Sequence, residues 1–375
     1  MSVYYLLGWH GNLNAGDDAF AIVTDWGLRK YARATDIVME SDISNNINKK
    51  YHIKLIQNSK LYIPGLARLR RKYYFAITKA FVYAGGSLFN NKEVDLILKS
   101  PMFLNPQISK ISLGVSVGPF ISSQHEQDTV EVLKRMNYVS FRDNFSYKWA
   151  KSHQLDVPYT QAFDMAILLP MAISEKLNSS KKETQNIEKS PTIGISLLAF
   201  NYLKDKTNLN QDLKWVRELA KATNEIASSK KFKIILYSFC RHPLYNDDIV
   251  CQAFMDAISS SDNIKIFKHN GDPNRILTDM KKCSHIISMR LHGSIFAYTN
   301  KTPLLMLNYH SKCRDFAETI DMDQKFCLDL ENFDIQTYKT TLHQFLETKK
   351  IAANLLHESA VQKALLNFEG YNNWI

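Results

Sequence analysis

The stretch His285–Phe316, "HIISMRLHGSIFAYTNKTPLLMLNYHSKCRDF", sets two short apolar runs, "HIISM" and "PLLMLNY", on either side of a segment with helical spacing. Apolar runs of about four to eight residues read as strands covered on both faces, and two of them joined by a helix make a parallel β–α–β unit. Polar heads follow each run: Arg290 at the end of the first, His292 at the entry of the helix "GSIFAYTN", and Lys312 beyond the second. Ligands of open parallel sheets bind past the carboxyl ends of the strands, so these heads converge on one edge. An arginine there forks a carboxylate or phosphate, Lys312 adds a mobile positive charge, and the helix start adds free N–H donors. A helix N-terminus also favours neutral imidazole, which suits proton transfer. The alternatives are a His292 that only caps its helix and a solvated Lys312.

Outward from this stretch the same alternation recurs. "VYYLLG", "FVYAGG", "ISLGVSVG" and "YVSFRD" read as strands before it, and "TIGISLL", "KIILYSF" and "NIKIFKH" lead up to it. A helix is expected from Asp17 to about Ala32. The polar, lysine-rich run "SEKLNSSKKETQNIEKSPT" has no apolar periodicity and reads as a linker. The expected organisation is α/β: two doubly wound Rossmann-like domains, 1–173 and 192–333, facing across a cleft, with a linker at 174–191 and C-terminal helices over 334–375. Ligands are expected in that cleft.

The chain has 375 residues, 45% hydrophobic and 22% charged, which suits two soluble cores. No apolar run approaches the roughly 18 to 20 residues of a membrane span, and the start lacks the pattern of a secretory signal, so a cytoplasmic protein is expected. Five cysteines, all in the second half and without C-x-x-C spacing, argue against a disulfide or zinc framework. The net charge of +10 suits an anionic partner. No zinc-finger, RNP-like or basic-zipper pattern accompanies it, which argues against nucleic acid. No His, Asp and Glu set has metal-ligand spacing, and no metal is expected.

Three further stretches bear on chemistry. In "GWHGNLNAGDDAF", from Gly8, the glycines lack dinucleotide-binding spacing. Asp17 and Asp18 at the helix start repel a phosphate, so the turn suits hydroxyls; the alternative is that Asp17 only caps the helix. In "AGGSLFNN", Gly85 and Gly86 let a ligand approach the backbone and Ser87 donates to an oxygen, or the pair is a plain turn. In "SFRDNFS", Arg142 ends a strand on the ligand side, or else is a surface arginine pairing with Asp143 or another carboxylate. "PGLARLRRKYYFAITKA" spaces Leu66, Leu69, Tyr73 and Ile77 at helical intervals, with Arg68, Arg71, Lys72 and Lys79 elsewhere on the wheel. It reads either as a face for an anionic membrane or as a solvated basic helix.

Taken together, "GNLNAGDDAF", "AGGSLFNN", "SFRDNFS", "FDMAILL" and above all "MRLHGSIFAYTNKTPLLMLNYHSKCRDF" resemble the polysaccharide pyruvyl transferase family, over about Tyr5 to Phe316. Ala84 stands where a third glycine often occurs in that family, and the "GNLNAGDD" turn is unusually rich in asparagine. The resemblance implies a GT-B-like fold and transfer of the enolpyruvyl unit of phosphoenolpyruvate (PEP) to two hydroxyls of a sugar, forming a pyruvate ketal in bacterial-type surface polysaccharide synthesis. It implies PEP contacts from Arg142, Arg290, His292 and Lys312, with His292 as the acid/base residue beside Arg290.

The acceptor, a nucleotide-linked, lipid-linked or polymeric glycan, is expected at Asn14, Gly16, Asp17, Asp18, Gly85, Gly86 and Ser87 in the N-terminal domain. PEP is expected as co-substrate with no further cofactor. The competing readings are a GT-B-type glycosyltransferase using a nucleotide sugar and a non-catalytic binding subunit of a polysaccharide assembly.

Overall fold

The computed structural model describes residues 2–41, 47–57, 66–89, 94, 97–99, 101–177, 190–205, 207–258 and 263–370. The chain divides into two compact units. The first is Met1–Asn12, Asp17–Lys181 and Glu358–Ile375; the second is Leu13–Gly16 and Lys182–His357.

In the first unit, strands β1 (Val3–Leu7), β2 (Asp36–Ser41), β3 (Lys54–Gln57), β4 (Thr78–Phe89), β5 (Ser109–Val117), β6 (Tyr138–Phe141) and β7 (Tyr159–Gln161) form one parallel sheet in the order β3-β2-β1-β4-β5-β6-β7. In the second, β8 (Ser190–Ser196), β9 (Lys233–Ser238), β10 (Ile264–Lys268), β11 (Cys283–Ser288), β12 (Leu304–Asn308) and β13 (Cys327–Asp329) form a parallel sheet in the order β10-β9-β8-β11-β12-β13. Each is therefore doubly wound, with its strand order reversing beside its first strand, and a crevice opens there. The reversal lies between β1 and β4 in one unit and between β8 and β11 in the other.

The expected α/β architecture is present. The central strands are buried along most of their length, as parallel strands covered on both faces require: every residue of β6 and of β12 is buried. β2, β3, β7 and β13 are additional to the expected strands. β3, β7 and β13 are short, and β7 and β13 carry no apolar run. Carboxylates start several helices: Asp143 accepts from Ser146 N at 2.7 Å and Asp334 from Thr337 N at 2.7 Å. The helix expected from Asp17 begins two residues earlier, spanning Ala15–Tyr31, so both aspartates fall in its first turn.

The expected linker 174–191 begins inside the helix Leu169–Lys176 and ends inside β8, and residues 178–189 lie outside the described residues. The C-terminal segment forms two helices that go to different units. Ile335–Phe345 stays with the second, where Tyr338 Oη and Thr223 Oγ1 are 2.7 Å apart. His357–Glu369 returns almost entirely to the first. There Asn367 Nδ2 donates to Phe163 O at 3.0 Å, Ser140 Oγ donates to Asn367 Oδ1 at 2.6 Å, and Tyr138 Oη donates to Leu366 O at 3.2 Å. Phe368 stacks on Tyr31 and fills the space over Gly27. Among the described residues no helix is long and apolar enough to cross a membrane.

Asn367 is fully buried, and removing its amide strands the partners it satisfies. Asn367→Ala should lower the unfolding free energy by about 2 kcal/mol in urea denaturation, whereas a change below about 0.5 kcal/mol would mean that this contact does not hold the helix in place.

Candidate active site

In the second unit the sheet's switch point is built by hydroxyls and a glycine. Ser196 at the end of β8 and Ser288 at the end of β11 bring their Oγ atoms to 2.7 Å, and Met289 N donates to Ser196 O at 2.8 Å. The helix Leu291–Thr299 starts directly above, and Ser288 Oγ donates to Arg290 O at 2.7 Å. A Cβ on Gly293 would run into both serine hydroxyls, so the helix reaches the strand ends only because that residue is glycine.

Arg290 is the residue before this helix. Its Nε donates to Asp247 Oδ2 at 3.0 Å and its Nη2 to the other carboxylate oxygen. The Asp247 carboxylate is 2% exposed and also accepts from Cys240 N at 2.9 Å. Burial alone would lower the pKa of Arg290, but the Asp247 carboxylate outweighs it and holds the guanidinium above its ordinary value. The arginine is thus a fixed cation with a set orientation, and it lines a small pocket with Asp247, Tyr202, Leu203, Leu209 and Tyr245.

His292 occupies the first turn of the same helix. Its ring lies flush against Gly16, where any side chain would overlap the imidazole. Gly16 reaches it because the opening turn pairs with this unit: Ala15 N donates to Phe239 O at 2.9 Å, Arg241 N donates to Leu13 O at 2.9 Å, and Asn14 forms an antiparallel bridge with Cys240. Asn14 Oδ1 accepts from Gly16 N at 3.1 Å and shapes the turn. Asn14 and Gly16, expected with the N-terminal domain, therefore belong to the second unit beside His292.

Beyond β12, His310 is the N-cap of the helix Ser311–Thr319, its Nδ1 accepting from Lys312 N at 3.3 Å. Burial, followed by the charges of Lys312 and Arg314, lowers the imidazole to about 4. Lys312 is half-buried, with Nζ 5.7 Å from the centre of the Tyr309 ring. Arg290, His292 and Lys312 thus follow the ends of the neighbouring strands β11 and β12.

The other expected site residues lie at the switch point of the first unit or near it. Asp18 is fully buried and its Oδ1 accepts from Gly11 N at 2.9 Å, which makes it a brace for its own turn rather than a group open to hydroxyls. Asp17 is half-buried with its carboxylate beside Gly86, and Ser87 is exposed. Gly85 and Gly86, both at positive φ, sit within β4, which continues to Phe89, and a Cβ on Gly85 would overlap the Phe20 ring. Arg142 is 6% exposed, with Nε donating to Ser116 Oγ at 2.7 Å and Nη1 to Asp164 at 2.8 Å. The expectation of an Arg142 open to an anion is corrected: it pairs with the Asp164 carboxylate within the first unit, and it does so buried rather than at the surface.

Sequence reasoning missed Asp247 and His310. The carboxylate of "YNDDIV" lies 43 residues before Arg290, with no motif joining them. His310 was legible as the residue before a helix, since a histidine nitrogen can accept a cap hydrogen bond.

Two outcomes follow from these contacts. Asp247→Ala leaves Arg290 charged and without its carboxylate, and should cost about 3 to 5 kcal/mol in urea unfolding; a loss under about 1 kcal/mol would mean the pair does not hold the switch point. Because folding keeps His310 neutral, its contribution to stability is complete above its unfolded pKa of 6.5 and is lost as pH falls from there towards about 4. His310→Asn keeps an acceptor at the cap without a titrating ring. Its Tm should fall less than the wild type's across that window, and parallel Tm curves would exclude the assignment.

Comparison with known proteins bears on the fold and the family. The chain resembles the structures of UDP-GlcNAc 2-epimerase from Methanocaldococcus jannaschii, with a TM-score of 0.63 at 11% identity over 99% of this chain and 100% of that one. The UDP-GlcNAc 2-epimerase from Neisseria meningitidis bound to UDP-GlcNAc gives 0.63 at 13% identity, covering 98% of each chain. Anabaena Alr3699/HepE in complex with UDP and glucose gives 0.53 at 10% identity, over 100% of this chain and 97% of that one. At such identities the likeness is one of fold, GT-B-like with two Rossmann-type units. No curated protein sequence matches significantly. Residues 14–311, from the turn that seats His292 to the helix that carries Lys312, match the model of one sequence family, and the chain belongs to it: polysaccharide pyruvyl transferase.

Proposed function

We propose that the chain transfers the enolpyruvyl group of PEP to two hydroxyls of one sugar unit in a glycan, giving a pyruvate ketal and inorganic phosphate. The observation that carries this reading is the pairing of a fixed cation with a seated imidazole: Arg290 held by Asp247, and His292 against Gly16, at the switch point of one sheet. Family membership supports the pyruvyl transfer and the polysaccharide setting.

PEP presents a carboxylate and a phosphate on a three-carbon frame and calls for more than one cation at short range. Arg290 and Lys312 supply them, each charge-assisted contact contributing roughly 1.5 to 3 kcal/mol. The reaction begins with protonation of the PEP methylene carbon, which makes the adjacent carbon electrophilic. One sugar hydroxyl attacks that carbon and loses its proton, the C–O bond to phosphate breaks, and the second hydroxyl closes the ketal. Two hydroxyl protons are released: one balances the new methyl group and the other leaves with phosphate. His292 is the proton carrier, and Arg290 and Lys312 stabilise the departing phosphate. Within the first unit, half-buried Asp17 beside Gly86 and exposed Ser87 offer a carboxylate and a hydroxyl, which suit a hydroxyl-bearing ligand better than an anion.

Phosphate release from PEP in the presence of candidate glycans tests the reading. His292→Ala should lower kcat by about 10² to 10⁴ with the circular dichroism spectrum unchanged. Gly16→Ala, which displaces the ring without removing it, should lower kcat in the same direction. A folded His292→Ala enzyme with near-normal kcat would remove the proton role. Thermal stabilisation by a nucleotide sugar and none by millimolar PEP would favour sugar transfer instead.

A further inference from the structure

The apolar stripe of the helix Leu66–Ile77 faces solvent rather than the core. Leu69 is 65% exposed, Tyr73 59% and Ile77 37%. The opposite side anchors the helix. Phe75 packs on Tyr5 and Phe81, with ring centroids 5.0 and 5.7 Å away, and Arg71 Nε donates to Glu40 at 2.8 Å. Glu40 also accepts from Tyr5 Oη, whose pKa is pushed up by burial and by that carboxylate, so the hydroxyl stays a donor. Arg71, expected among the outward charges, is therefore a tether, and the side chains of Leu66 and Arg68 lie outside the described residues.

At about 100° per residue, Leu69, Tyr73 and Ile77 span roughly 80° of the wheel. Arg70 follows about 20° beyond Ile77, and Lys72 lies about 60° to the other side of Leu69. Both are exposed, so the apolar stripe has a cation on each edge. The helix sequence, "LARLRRKYYFAI", holds no acidic residue, and exposed Lys79 follows its end.

We propose that this face docks on an anionic lipid bilayer, with Leu69, Tyr73 and Ile77 entering the headgroup boundary and Arg70 and Lys72 meeting lipid phosphates. Apolar side chains in a shallow stripe with cations on both edges match the layered chemistry of a bilayer surface, where hydrocarbon lies beneath negative headgroups. A second copy of the same face is disfavoured because symmetric pairing would bring like charges together. The docking face belongs to the first unit and needs no step of the chemistry proposed above.

The test is flotation of the full chain with phosphatidylcholine vesicles and with vesicles in which part of the lipid is phosphatidylglycerol. Binding is expected to the anionic vesicles alone and should weaken as salt rises. Arg70→Gln/Lys72→Gln should reduce partitioning roughly 20- to 30-fold, since each basic group near the surface contributes about a factor of five. Leu69→Ser/Tyr73→Ser should also reduce it, and the Tm of both variants tells a loss of binding from a loss of fold. Should the serine variant unfold, the lipid, salt and charge comparisons still decide. Absence of binding to anionic vesicles, equal binding to neutral ones, or indifference to the charge changes would overturn the proposal. Self-association of the free protein that Leu69→Ser/Tyr73→Ser abolishes, without vesicle binding, would assign the face to a second copy.

Discussion

The buried contact between Asp247 and Arg290 organises the second unit's switch point. A guanidinium taken out of water is tolerated only with a carboxylate in register, and Asp247 supplies both oxygens while also accepting from Cys240 N. Cys240 is in turn the residue that bridges Asn14, so one carboxylate braces both the arginine and the segment on which the turn before Gly16 is laid. Gly16 seats His292, and Gly293 lets the histidine's helix descend onto Ser196 and Ser288. The imidazole's position thus depends on groups that have no chemistry of their own.

Much of this frame was legible in the sequence. Each expected strand formed, because parallel strands covered on both faces need continuous apolar runs and those runs are visible. β7 and β13 escaped notice because three residues, YTQ and CLD, are too few to carry a periodic pattern. The positions of Arg290 and His292 followed from the strand–helix boundary in "SMRLHG". What the residues face was less accessible. "SFRD" and "SMRL" look alike on paper, each an arginine closing a strand. Arg142 meets Asp164 and Ser116 in a core, while Arg290 meets Asp247 and lines a pocket. The deciding carboxylates come from elsewhere in the chain, and local pattern holds no record of them.

The opening turn shows the same limit. Its paired aspartates suggested a set of hydroxyl-binding groups acting together. Folding separates them, with Asp18 turned inward onto Gly11 N and Asp17 left beside Gly86. Successive residues of a helix point about 100° apart, so neighbours in sequence rarely share a task.

The return of His357–Glu369 to the first unit also matters while the chain is being made. Asn367 completes hydrogen bonds to Ser140 and Phe163, yet it leaves the ribosome only after the entire second unit. At about 5 to 20 residues per second the delay is on the order of ten to forty seconds. Through that interval the first sheet exists without its last helix, and the surface around Ser140 and Gly27 stays uncovered while the second unit emerges. A nascent chain of this protein thus carries a first unit short of one helix, and chaperones have that exposed patch to bind until the helix His357–Glu369 emerges.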